Sequence, residues 1–195
     1  MATGFSPTTF LSKLQLGGAL QSLFEVTITT PDGLGGTATT GAADYPYMTK
    51  AATFPESTIT ATPISYMGRE IQIPGNREST QWTNTIYNDE DFLIRHMLEA
   101  WTEKLNSGPG NSRSSDMLTP LTYTGTLEVT GFKKSTKTSD PDDTGKTTED
   151  ADVASSYKFW FAWPSSVGEI TLDWETNEIQ EYEVTWEYSY YTKLV

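Results

Sequence analysis

The 195-residue sequence predicts a mainly β fold: a small β-barrel or sandwich with one flanking α-helix and a long extended arm. Three observations carry this. Polar and apolar residues alternate with a period of two in runs scattered from residue 22 to residue 191. Apolar residues take a convincing helical spacing in one place only. One stretch, 54–79, is extended in character yet punctuated by Pro55, Pro63 and Pro74.

Ser6-Pro7 reads as an N-cap followed by proline at the first helical position, which predicts a short helix over about 7–15, ended by Gly17-Gly18. "SLFEVTITT" (22–30) sets Leu23, Glu25 and Thr27 against Phe24, Val26 and Ile28, a strand. "PDGLGGTATTGAAD" (31–44) has the composition of a turn and flexible loop, and a second strand around Tyr45 to Thr53 would close a hairpin with the first.

Residues 54–79 form the arm. Its prolines exclude a central strand, because proline cannot donate to a ladder. Yet Ile59, Ile64, Tyr66, Met67, Ile71 and Ile73 are too many apolar groups for a freely solvated loop. Their partners lie either on the same domain or on a neighbour.

"QWTNTIY" (81–87) is another alternating strand. Asn88 then caps a helix over 89–105, with Asp89, Glu90 and Asp91 at its positive end. Ile94, Met97, Leu98, Trp101 and Leu105 form its apolar stripe, and Gly108-Pro109-Gly110 ends the run. Phe92 and His96 point away from that stripe, towards an outer contact or towards cover from the 107–118 loop. "LTYTGTLEVTGF" (121–132) is a strand with a glycine kink, and the polar segment 133–156 is a mobile loop.

"YKFWFAW" (157–163) returns to buried strand, "PSSVG" turns, "EITLDW" (169–174) is strand, and "ETN" turns into the last strand, "EIQEYEVTWEYSYY" (178–191). There Tyr182, Val184, Trp186, Tyr188 and Tyr190 share one face, and Glu181, Glu183, Thr185, Glu187 and Ser189 the other. Like charges ranged along one face repel one another, so an acidic row of this kind asks for a purpose.

The formal charge of −13 argues against a nucleic-acid grip, which needs a basic surface. There is no cysteine, hence neither a disulfide framework nor thiol chemistry. Residues 1–30 carry no signal-peptide pattern, and no apolar run of about 18 residues is present to span a membrane.

Chemistry is as sparse. His96 is the only histidine and has no neighbouring nucleophile. "TGKTT" (144–148) lacks the earlier glycine of a phosphate loop, since position 140 is aspartate. "DPDDTG" (140–145) starts like a calcium loop but ends on Ala151 at its twelfth position. Asp173 and Glu175 flank Trp174 without any sign of the facing carboxylate that glycoside hydrolysis requires. The expectation is a structural protein, with no catalytic residue, no metal and no cofactor.

"SLFEVTI", "GREIQIPGNRESTQWTNTIYNDEDF" and "WPSSVGEITLDWETNEIQEYEVTWEYSYY" resemble the tail tube protein of contractile-tailed, myovirus-type bacteriophages, in the same order and over most of the chain. The block from Trp163 to Thr185 is the most specific part. The resemblance implies one domain over 1–195, related in architecture to type VI secretion tubes, with loop insertions at about 31–44, 107–118 and 133–156. It implies hexameric rings stacked into a hollow tube of the virion, assembled in the host cytoplasm, surrounded by a contractile sheath and filled by a tape-measure protein. Baseplate and tail-terminator proteins would meet its ends, and DNA would pass through without specific binding during genome ejection.

On that reading the arm residues Ile59, Ile64, Tyr66, Met67, Ile71 and Ile73 cross to the next ring, and Phe92 and His96 offer an outer contact. The Glu181, Glu183 and Glu187 face lines the lumen, where negative charge keeps DNA phosphates from adhering; its competitor is a sheath or solvent face. Two other readings stand beside it: the inner tube of a phage-tail-like bacteriocin or type VI-like device, and, more distantly, a carbohydrate-binding β-sandwich.

Overall fold

A computed structural model describes residues 7–14, 18–35, 37–136, 151–175 and 177–195. The chain runs α1 (Pro7–Lys13), β1 (Phe24–Thr29), α2 (Thr37–Met48), β2 (Thr49–Ala52), β3 (Thr58–Tyr66), β4 (Arg69–Glu78), β5 (Trp82–Tyr87) and α3 (Leu93–Leu105). It continues with α4 (Pro120–Tyr123), β6 (Gly125–Thr136), β7 (Ala151–Val167), β8 (Glu181–Glu187) and β9 (Tyr190–Lys193). One antiparallel sheet takes the order β1-β6-β7-β8-β5-β2, with β9 also on β7; β3 and β4 pair only with each other. No ladder joins the edge strands β1 and β2, so the sheet rolls up without closing into a barrel.

Alternation does what it predicts on the inner face. Val26, Ile28, Leu127, Val129, Phe159, Tyr182, Val184 and Trp186 are all buried there. The stripe of α3 lies across them through Ile94, Met97, Leu98 and Trp101, and Trp101 meets Trp186 edge-on with ring centroids 5.7 Å apart. Burying each such side chain contributes about 1.5–3 kcal/mol. Gly125 permits this closeness: a Cβ there would stand 2.3 Å from the Thr29 carbonyl oxygen and 2.9 Å from the Trp101 ring.

Several sequence expectations fail, each for a local reason. The supposed flexible loop 31–44 holds a 3-10 turn (Asp32–Leu34) and most of α2, a second helix against α3. Its propensity is poor, but Gly41 lets it approach Leu93 and Met97 closely, and Tyr45 is fully buried, so tertiary packing overrides propensity. The helix consumes Tyr45 to Met48, which leaves β2 short. That strand pairs with β5, not with β1.

Asn88 does not cap α3. Its backbone and side chain bond to Gln180 instead, and the helix starts at Leu93 behind Phe92, whose left-handed φ of 56° ends the approach. Residues 120–123 form α4, so the next strand begins at Gly125.

The loop expected over 133–156 is shorter, because β6 continues to Thr136 and β7 begins at Ala151; 137–150 lie outside the described residues. "PSSVG" is no turn: β7 runs on to Val167 with a register shift between Pro164 and Ser166. "EITLDW" is irregular and largely exposed.

The last strand breaks at Tyr188-Ser189. Trp163↔Glu187 and Trp160↔Tyr190 keep one register, but the inward parity inverts beside Phe161, a bulged residue with φ 56°. Tyr188 is therefore buried while Tyr190 turns outward and stacks on Trp160, contrary to the single aromatic face expected.

One buried polar residue was not anticipated. Asn84 donates to the Tyr45 hydroxyl at 2.8 Å and accepts from the Trp186 indole at 3.0 Å. Burial pushes the Tyr45 phenol well above its ordinary pKa, so it stays neutral and serves only as a hydrogen-bonding group. Asn84→Leu strands both partners at about 1–3 kcal/mol each. For a chain of this size each kcal/mol lowers the melting temperature by about 2–4 °C. Thermal unfolding of unassembled subunits checks this; an unchanged melting temperature contradicts the network.

Candidate assembly surfaces

The extended arm is a β-hairpin. Its strands, of 9 and 10 residues, turn at Met67-Gly68, both with positive φ (49° and 74°), the geometry a two-residue hairpin turn requires. At the root, Phe54 packs on Tyr157 with centroids 5.2 Å apart, and Arg77 lies over the Tyr191 ring. Every residue from Ala61 to Glu78 is exposed.

Cross-strand partners share a face. The pairs Thr62↔Ile73, Ile64↔Ile71 and Tyr66↔Arg69 therefore gather Ile64, Tyr66, Ile71 and Ile73 on one side. The pairs Ala61↔Pro74, Pro63↔Gln72 and Ser65↔Glu70 make the other side. Of the six arm residues singled out, four thus share a face; Ile59 sits on the opposite side and Met67 at the tip. A proline fits a ladder only where its nitrogen points away from the partner strand. Pro63 and Pro74 consequently blunt the two outer edges, and the hairpin is built to dock by a face, not by adding a strand. An isolated two-stranded ribbon is marginal in water, which is why this apolar face calls for a partner.

The acidic row stands on the outer face of β8. Glu181 and Glu183 are exposed and Glu187 is half-buried. It is less bare than the sequence suggests. Glu181 pairs with Lys50 of β2, whose ammonium is held above its usual pKa by that hydrogen bond and also lies over Tyr87. Gln81 donates to Glu187 at 2.5 Å. Glu183, opposite Thr85, has no ion pair among the described residues.

Phe92 and His96 stack at 6.0 Å on the outer side of α3, with His96 exposed. The 107–118 loop does not cover them. It bonds to the far end of α3, through Ser114 to Lys104 and Arg113 to Leu105, and sends Met117 into the core.

Residues 168–175 and 177–180, where the sequence predicts a strand, a turn and the start of the last strand, leave Leu172, Trp174 and Ile179 largely exposed, Trp174 completely so. The strand-like alternation in "EITLDW" is misleading, because no strand among the described residues pairs with it. Among the described residues no group of His, Asp or Glu side chains is arranged to hold a metal. Asp173 accepts from the Glu175 backbone N–H at 3.0 Å on this same open segment, and both residues are exposed. "TGKTT" and "DPDDTG" lie outside the described residues.

A family model described as phage tail tube protein matches residues 19–194. The tail tube protein gp19 of Enterobacteria phage T4 is 29% identical over 143 residues, covering 73% of this chain and 77% of that protein. The same figures hold for the tail tube protein gp19 of Enterobacteria phage T6. Among solved structures, a chain of the PVC sheath-tube complex, an extracellular contractile injection system in its extended state, superposes with a TM-score of 0.55 at 13% identity, covering 97% of both chains. A chain of the sheath/tube terminator of the same system superposes with a TM-score of 0.57 at 12% identity, covering 89% of this chain and 94% of that one.

Proposed function

This chain belongs to the phage tail tube protein family, and from that membership we propose how its surfaces build the tube. It is a structural subunit of the tail tube, a virion component and not an enzyme. Copies form hexameric rings, and the rings stack through the β3–β4 hairpin into a hollow conduit. The observation that carries this reading is the hairpin itself: a projecting ribbon with one unpartnered apolar face and both edges blunted by proline.

Stacking of this kind is head-to-tail, with different surfaces meeting at each junction, and such contacts grow along an axis where a self-complementary contact would stop. A contractile sheath surrounds the tube, a tape-measure protein fills it during assembly, and terminator and baseplate proteins close its ends. The β8 glutamates face the lumen. DNA phosphates then pass a negative wall, without the counter-ion-releasing attachment that a basic wall would offer. Phe92 and His96 face outward as a contact for sheath or neighbour. A phage tail is favoured over an extracellular injection device by the sequence relationship to the phage T4 protein, and the glycan-binding alternative falls with family membership.

Rings and stacking separate experimentally. A hairpin variant that cannot stack is expected to elute as a hexamer of the 21.6 kDa chain in light scattering, because its lateral contacts are intact. A monomer at all concentrations would contradict ring formation independent of the hairpin.

A further inference from the structure

We propose that the apolar face of the hairpin docks on segment 168–180 of a second copy, a contact that rests on the stacking reading above and names its receiving surface. Placement is the first argument. β5 begins at Trp82, beside the hairpin root, and ends at Tyr87; Asn88 beyond it bonds to Gln180. The hairpin therefore leaves the sheet at one end of β5, and segment 168–180 lies at the other. Head-to-tail stacking brings those two ends together.

Chemistry is the second. The hairpin offers Ile64, Ile71, Ile73 and Tyr66; the segment offers Leu172, Trp174 and Ile179. Arg69 shares the hairpin's isoleucine face through its pairing with Tyr66. The receiving segment carries Glu169, Asp173, Glu175 and Glu178 and neither lysine nor arginine. An arginine delivered among apolar contacts and met by carboxylates fixes register as well as partner.

Repetition is the third. One face of strands of 9 and 10 residues supplies only about half of the 20–30 residues that a stable interface takes from each side, so the contact holds by recurring once per subunit around the ring. The glutamine, serine and proline face is left to solvent.

The chain has no cysteine, so Met67→Cys with Asp173→Cys introduces the only thiols. A short bis-maleimide added to assembled tubes is expected to give a ladder of covalent multimers, while each single variant gives none beyond dimer. Tubes of the double variant that yield only monomer would overturn the contact. Independently, Leu172→Ser with Trp174→Ser is expected to cut the sedimenting fraction by about tenfold or more at unchanged subunit melting temperature. If that variant forms tubes while a hairpin variant does not, the hairpin reading stands and this receiving surface is wrong. If both form tubes, both fail.

Discussion

Replacing Ile64, Ile71 and Ile73 with serine leaves folded subunits that no longer form tubes. These side chains lie outside the core cluster and about half of each is exposed; Ile71, for example, is 51% exposed. The stacking contact buries the exposed half of each, which contributes on the order of 0.75–1.5 kcal/mol per side chain. Since 1.4 kcal/mol is tenfold in affinity, three such losses raise the concentration needed for tube growth by roughly fiftyfold to a thousandfold. The same number of substitutions on the other side, Ser65→Ala, Glu70→Ser and Gln72→Ser, changes little, because that face meets solvent. Sedimentation of tubes at graded protein concentration reads the difference. Equal pelleting of the two triple variants would show that the hairpin does not dock by its isoleucine face.

Reversing the acidic row affects transport, not assembly. Glu183→Lys is the cleanest single change, since Glu183 has no ion pair among the described residues and stands opposite Thr85. Glu181→Lys would also set two ammonium groups against each other at Lys50, and Glu187→Lys would remove the acceptor of Gln81. The aromatic side of β8 that secures the strand is untouched by all three. With lysine at position 183, passing phosphates meet one attractive charge between two remaining glutamates from every subunit of each ring, and genome ejection slows. The defect weakens as salt rises, because screening shortens the reach of these charges to about 8 Å at physiological ionic strength. Ejection measured against salt decides the matter. Tubes that fail to assemble, with no separate ejection defect, would place this face at a subunit or sheath contact.

Much of this was legible from residue order because two periodicities are strong here. The inward row of β8, the strands at Phe24–Thr29 and Trp82–Tyr87, and the Trp101 stripe each follow from spacing alone. What spacing cannot report is a backbone that changes parity. The positive φ at Phe161 turns Tyr190 outward, and nothing in "FWFAW" announces it. Nor could composition foresee α2, whose threonines and glycine are poor helix formers and whose Gly41 is needed only because α3 lies against it.

The surfaces divide in the same way. The apolar content of the arm was plain, but which of its residues share a face depended on the turn at Met67-Gly68. That turn sets the register that puts Ile71 and Ile73 beside Ile64 and Tyr66, while Ile59 falls on the opposite side by the alternation of β3 itself. Segment 168–180 was misread because "EITLDW" alternates like a strand while having no neighbour to pair with. The acidic row stands on the outer face of β8 as alternation predicts, but Lys50, the partner of Glu181, comes from a strand that the sequence pattern joins to β1.

The central claim is that this chain polymerises into a conduit. Electron microscopy of the purified protein, across a range of concentration and salt, tests it most directly. Hollow tubes built of stacked rings with sixfold symmetry are expected. Dispersed subunits without rings or tubes under every condition would contradict it.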